Sequence, residues 1–250
     1  MDKVDKHGHP LQFLREFTAA RIAIGSTGTS IPTTQLLEFK LAHAHARDAV
    51  YSVMDTGRLA GELAMFKKPV LQLHSKAADR QQYLQRPDLG RLPDEASVNC
   101  LANQITGGDI AIIIADGLSA TAINHNVLHL LQILVPKLSG AGLKLAPICL
   151  VEQGRVAIAD HLAAALGAKL SLMLIGERPG LSAADSMGAY ITYQPKPGLT
   201  DDARNCISNI RRGGLFMDAA ANKIFYLISE AFKRQLSGTG LKDHGGFLAE

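Results

Sequence analysis

The chain has 250 residues, 47% of them hydrophobic and 20% charged, with a formal net charge of +3. That apolar content suffices for a substantial core, while the dispersed Lys and Arg exclude the basic footprint of a nucleic-acid binder and no apolar run reaches the roughly 20 residues that span a bilayer. Three cysteines, Cys100, Cys149 and Cys206, without CxxC or Cys/His spacing, fit a reducing cytosol and exclude a disulfide framework or structural zinc.

The first hundred residues read as a mainly helical region joined by turns (1–100), followed by an α/β domain (101–250). Leu11 to Ala20 is a short helical candidate. Gly25 to Thr34 is rich in glycine and hydroxyls and leads into a helix, a setting that suits either capping or an anion; it lacks the endings of a P-loop or a dinucleotide turn. From Thr34 to Val50, Leu37, Leu41 and Ala44 recur at helical spacing and predict a face packed on the body of the protein. His43 and His45 point about 200° apart on that helix and do not form a metal pair. Leu71 to Pro93 is polar and loop-like; its Tyr- and Arg-rich part, Gln81 to Arg91, suits a partner contact or an ordinary surface connection.

Past Asn103 the rhythm changes. Asp109–Ala115 predicts a strand ending at Asp116-Gly117, and Ser119 caps a helix whose Ile123, Val127, Leu130, Leu131 and Leu134 form one stripe before Pro136. His125 and His129 share a face at metal-binding spacing, without an evident third ligand. Leu143–Val151 reads as a second strand, with Pro147 marking a bulge or a less central position. Lys169–Ser182 is the central strand: a nearly unbroken apolar run, as in a strand buried on both faces, that stops at Gly176-Glu177-Arg178-Pro179-Gly180. Ala189–Tyr193 is a fourth, and a connection carrying Cys206, Ser208 and Asn209 precedes a long helix striped by Met217, Ala220, Ala221, Ile224, Ile228, Ala231 and Phe232. This alternation is that of a parallel, Rossmann-like sheet with crossover helices. Disorder is expected only at Met1 to Pro10 and Gly238 to Glu250.

In such a sheet the carboxyl ends of the strands share one edge. Asp116, Glu152 to Val156, Glu177 and Tyr193 are expected there, with Cys206, Ser208 and Asn209 joining from the connection. The edge gathers acceptors, tight turns and apolar surface without a phosphate cradle or a supported Ser/His/Asp or Cys/His arrangement, so it suits binding more than bond-breaking; no residue is assigned a catalytic or metal-ligating role. A stand-alone enzyme with Glu177 and Asp116 as acid and base, and a purely structural subunit, are the alternatives.

Six blocks in order then carry a family resemblance: Arg21 to Thr29, Leu84 to Arg91, Ala115 to Ala120, Gly154-Arg155-Val156, Gly176 to Ser182 and Cys206 to Ile210. Together they resemble the small (light) subunit of ethanolamine ammonia-lyase. The resemblance implies an adenosylcobalamin-dependent lyase converting ethanolamine to acetaldehyde and ammonia, in which a large subunit holds the substrate and the small subunit completes the cobalamin site. It carries cofactor contacts over to Val156, Glu177 and Cys206. It also implies a base-on cofactor shared with the large subunit, consistent with the lack of an Asp-x-His-x-x-Gly motif, since Asp5-Lys6-His7 is followed by Pro10 where Gly is required. A cytoplasmic hetero-oligomer is expected; some relatives enter a bacterial microcompartment through an amino-terminal extension longer than the one here.

Overall fold

Five of the six strands run in one direction and one, the fifth in chain order, runs against them, because the chain before it is too short to cross over. The computed structural model describes residues 10–18, 20–104 and 106–243. Its single six-stranded sheet has the order β1-β3-β2-β4-β5-β6, made of β1 (Val70–His74), β2 (Gly108–Ala115), β3 (Ile148–Glu152), β4 (Ala168–Gly176), β5 (Met187–Tyr193) and β6 (Asn205–Ile210). β1, β3, β2 and β4 are mutually parallel, β5 pairs antiparallel with β4, and β6 pairs antiparallel with β5. The fold is therefore α/β with a mixed sheet, a correction of the parallel Rossmann-like expectation. Parallel neighbours need a crossover of a dozen or more residues, usually a helix, and no helix lies between β4 and β5.

The apolar runs are explained by cover on both faces. On β2, Ile110, Ile112 and Ile114 pack with α5 (Ala120–Gly140) and α7 (Met217–Arg234), while Ala111, Ile113 and Ala115 pack with α6 (Ile158–Ala165). β4 divides likewise, with Leu170, Leu172 and Leu174 on the first side and Met173 and Ile175 on the second. Ser119 caps α5 as expected, its Oγ accepting from the Ala122 N–H at 3.2 Å. That helix continues through Pro136 to Gly140.

Several local expectations change. Within the region read as mainly helical, the stretch from Leu71 to Pro93 read as loop-like holds most of β1 and all of α3 (Arg80–Gln85); β1 pairs with β3 and makes β3 an inner strand, and Pro147 lies just before β3, where its missing N–H costs no ladder bond. The helices there are α1 (Thr33–Tyr51), α2 (Thr56–Leu63), α3 (Arg80–Gln85) and α4 (Glu95–Ala102), and the described residues of Leu11 to Ala20 hold a 3-10 turn, Gln12–Glu16, in place of a helix. Pro32 occupies the N-cap position of α1 and no side chain caps the helix, so Gly25 to Thr34 does not supply a cap. Its Leu37 and Leu41 are 60% and 58% exposed, against the expected packed face, and only Ala49 among its described side chains is buried. Gly238–Gly240 forms a 3-10 turn and Leu241 is buried, so order extends past the expected tail boundary. Asp5-Lys6-His7 and the chain beyond 243 lie outside the described residues. No helix among the described residues is long and apolar enough to cross a membrane.

Candidate functional site

The carboxyl edge of the parallel strands is stitched together from Asp116, at the tip of β2. This buried carboxylate accepts from the N–H groups of Gln153 at 3.0 Å and Gly154 at 3.2 Å, and it lies 3.7 Å from Arg80 Nη1. It thereby ties β2 to the loop after β3 that carries Arg155 and Val156. Burial pushes its carboxyl up to about 6, against the opposing pull of the Gln153 N–H, Arg80 and the Gly154 N–H. Asp116 is thus a clamp whose lone pairs face the protein, which leaves it badly placed as the acid or base of the alternative reading.

Beneath that loop sits Tyr83 of α3, fully buried, with its hydroxyl donating to Gly154 O at 3.2 Å. The guanidinium groups of Arg155 and Arg80 lie 4.1 and 4.7 Å from its ring centroid. Such contacts are worth roughly 2 kcal/mol when desolvated, enough to hold a flexible side chain in one place. Arg155 is fixed further by Nη2 donating to Tyr83 O at 3.1 Å and by its backbone N–H donating to Gly90 O at 2.7 Å. Gly90 is needed for this approach, because a Cβ there would meet Arg155 Cγ at 2.7 Å.

β4 ends in Gly176, where a Cβ would fall 2.0 Å from Ser119 O and 2.4 Å from Asp116 O; only glycine admits that backbone crossing. The next residue, Glu177, is half-buried. Its carboxylate accepts from the hydroxyls of Ser186 and Ser208 and from the Asn209 N–H at 3.0 Å. A carboxylate offers about four lone-pair directions, so three internal donors orient the group and leave capacity for one more. Ser208 and Asn209 join the site as expected, from β6 rather than from a loop.

Cys206, also on β6, pairs with Tyr190 of β5. It is surface-accessible, yet crowding around the sulfur pushes the thiol up; a Tyr190 hydrogen bond opposes this and the Glu177 charge adds to it. A neutral thiol suits packing, not nucleophilic attack. Burial likewise raises the Tyr190 phenol, with contributions from Cys206 and Glu177.

Two cavities meet here. One, of about 460 Å³, is lined by Val156 and Cys206 together with Pro87, Arg91, Arg155, Ala157, Tyr190, Asp201 and Arg204. The other, of about 200 Å³, is lined by Val156 and Glu177 with Arg155, Arg178, Tyr190, Tyr83, Ile175 and the Gly117-Leu118 turn. They share Arg155, Val156 and Tyr190. Val156 thus borders both cavities, Cys206 the larger and Glu177 the smaller. Tyr193 does not reach it: opposite Leu170, it lies at the other end of β4, because β5 runs antiparallel, and its ring packs edge-on against Phe232.

Besides Arg155, which was expected at this edge with Glu152 to Val156, the lining residues without a role assigned from sequence include Tyr83, Arg91, Tyr190 and Arg204. Arg155 and Arg91 stand inside the matched blocks, and the Tyr- and Arg-rich stretch was a signal for Tyr83. Their number makes the surface more cationic than an acceptor-rich edge. Among the described residues no group of three His, Cys, Asp or Glu is placed to hold a metal, and His125 and His129 are exposed on α5.

The model of the family described as ethanolamine ammonia-lyase light chain (EutC) matches residues 8–242. The ethanolamine ammonia-lyase small subunit of Pseudomonas fluorescens SBW25 is 50% identical over 245 residues, which is 96% of this chain and 88% of the relative. Those of Pseudomonas putida KT2440 and Pseudomonas aeruginosa PAO1 are each 52% identical, over 94% and 92% of this chain and 88% and 86% of the relatives. Coverage from near one end to near the other, through all the elements that build the two cavities, places this chain in the ethanolamine ammonia-lyase light-chain family, as the small subunit of a lyase.

Proposed function

We propose that this chain completes the adenosylcobalamin site of a two-subunit ethanolamine ammonia-lyase, presenting Val156, Glu177 and Cys206 to the cofactor while the large subunit binds the substrate. The observation that carries the reading is the convergence of these three residues, from the loops after β3 and β4 and from β6, on two cavities that share Arg155, Val156 and Tyr190. Adenosylcobalamin supplies radical chemistry when bound. What this chain contributes is recognition. Glu177, held by Ser186, Ser208 and Asn209, keeps acceptor capacity for an amide N–H of the corrin fringe, a charge-assisted bond worth roughly 1.5 to 3 kcal/mol. Val156, Ala157 and Tyr190 supply flat contact, and the neutral Cys206 thiol fills space beside Tyr190. The donor set fits the group in a further respect: Arg155 Nε is buried without a hydrogen-bond partner.

The isolated chain should show no deamination of ethanolamine, and adding the large subunit should create the activity. In the reconstituted complex, Glu177→Ala should weaken adenosylcobalamin about tenfold or more, in keeping with loss of a charge-assisted hydrogen bond. Turnover by the chain alone would favour the Glu177/Asp116 enzyme, and unchanged cofactor affinity in Glu177→Ala would favour a purely structural subunit.

A further inference from the structure

We infer that Arg91 and Arg155 bind the phosphodiester in the nucleotide arm of the cofactor. The inference rests on cobalamin being the ligand of this surface and names which part of it the larger cavity holds. Of the three arginines lining that cavity, Arg204 is already answered: its side chain is 2% exposed and meets Asp160, with Asp201 at 3.6 Å. Arg91 and Arg155 have no carboxylate partner among the described residues, and Arg91 is exposed at the mouth. Arg155 is already immobilised against Tyr83, so little side-chain freedom remains to be lost on binding, and its buried Nε is left without an acceptor. A buried guanidinium nitrogen of Arg204 is unpartnered there as well. A cavity with two uncompensated guanidinium groups disfavours a wholly neutral ligand and favours an anion held by a planar fork. Cobalamin's corrin fringe consists of neutral amides, and its one peripheral anion is the phosphodiester joining the corrin side chain to the benzimidazole nucleotide.

The test is equilibrium binding, read from the visible spectrum, of adenosylcobalamin, adenosylcobinamide (no nucleotide arm and no phosphate) and adenosylcobinamide phosphate to the complex with the large subunit. Arg91→Gln and Arg155→Gln should each weaken adenosylcobalamin about tenfold and leave adenosylcobinamide within twofold of the unsubstituted complex. Arg155→Lys should recover part of the loss. Adenosylcobinamide phosphate should bind the unsubstituted complex more tightly than adenosylcobinamide and lose that advantage in Arg155→Gln. Exposed Arg91 serves as the variant least prone to misfolding. Equal weakening of all three ligands, or of none, would overturn the inference. If Glu177→Gln weakens all three while the arginine variants spare them, the phosphate assignment alone falls. If Glu177→Gln also spares them, the cobalamin reading falls and takes this assignment with it.

Discussion

Glu177 and Asp116 are both carboxylates at strand tips, and their surroundings give them opposite uses. Glu177 is half-buried and held by three donors on a rim that opens into a cavity; Asp116 is buried, with both oxygens turned to backbone N–H groups. For Asp116 the sign of the pH dependence follows from its upward shift to about 6. The folded chain holds that proton more tightly than the unfolded chain, so the group favours folding below its unfolded value near 3.8 and the contribution is lost as pH rises through about 6. A displacement of about two units corresponds to roughly 3 kcal/mol at most. The stability difference between the unsubstituted chain and Asp116→Asn, measured by urea unfolding, should therefore move against the unsubstituted chain between pH 4 and pH 6.5 and be flat above pH 7. A difference independent of pH across that range would show that Asp116 keeps an ordinary carboxylate pKa.

At the scale of elements, the strand tips are fixed by backbone contact as much as by side-chain packing. Gly176→Ala would drive a methyl group into Ser119 O and Asp116 O, and a loss of roughly 3 kcal/mol or more is expected in urea unfolding, together with weakened cofactor binding. A stability within 1 kcal/mol of the unsubstituted chain would contradict the close crossing of β2 and β4. The apolar runs of β2 and β4 were legible because burial on both faces removes the polar alternation, and the cap at Ser119 was legible from residue type. Strand direction was not: the run Ala189–Tyr193 has the same composition whichever way it pairs, and only the helix-free chain before it limits the choice. β6 was hidden for a related reason, since an edge strand with Cys206, Ser208 and Asn209 exposed reads as a loop. α1 fails in the opposite sense. Its Leu37 and Leu41 carry the periodicity of a packed helix and lie open to solvent, the pattern of a face that meets another polypeptide. Leu37→Glu with Leu41→Glu should leave the melting temperature of the isolated chain nearly unchanged, since exposed substitutions cost within about 0.5 kcal/mol, and should weaken assembly with the large subunit in analytical ultracentrifugation. Undiminished assembly would place the subunit contact elsewhere.

For the whole molecule, the matched blocks are scattered in sequence because the fold gathers them. Gly154-Arg155-Val156, the Gly176 to Ser182 turn and Cys206 to Ile210 contribute to the two cavities, with Leu84 to Arg91 closing their side through Gly90 and Arg91. The proposed trio, Val156, Glu177 and Cys206, could be named from the sequence only through family resemblance, because neither spacing nor residue type distinguishes a lone Val, Glu or Cys. The Arg80–Tyr83–Arg155 stack stayed out of sight because it joins α3 to a loop some seventy positions later, a contact that only the packed chain reveals. The proposed site, shared between this light chain and a larger subunit, should bind adenosylcobalamin poorly when either subunit is alone. The most direct measurement is a spectral titration of adenosylcobalamin against this chain, the large subunit and their equimolar mixture. Binding at least a hundredfold tighter to the mixture than to either component is the result expected here; a large subunit that binds the cofactor as tightly alone as in the mixture would contradict the account.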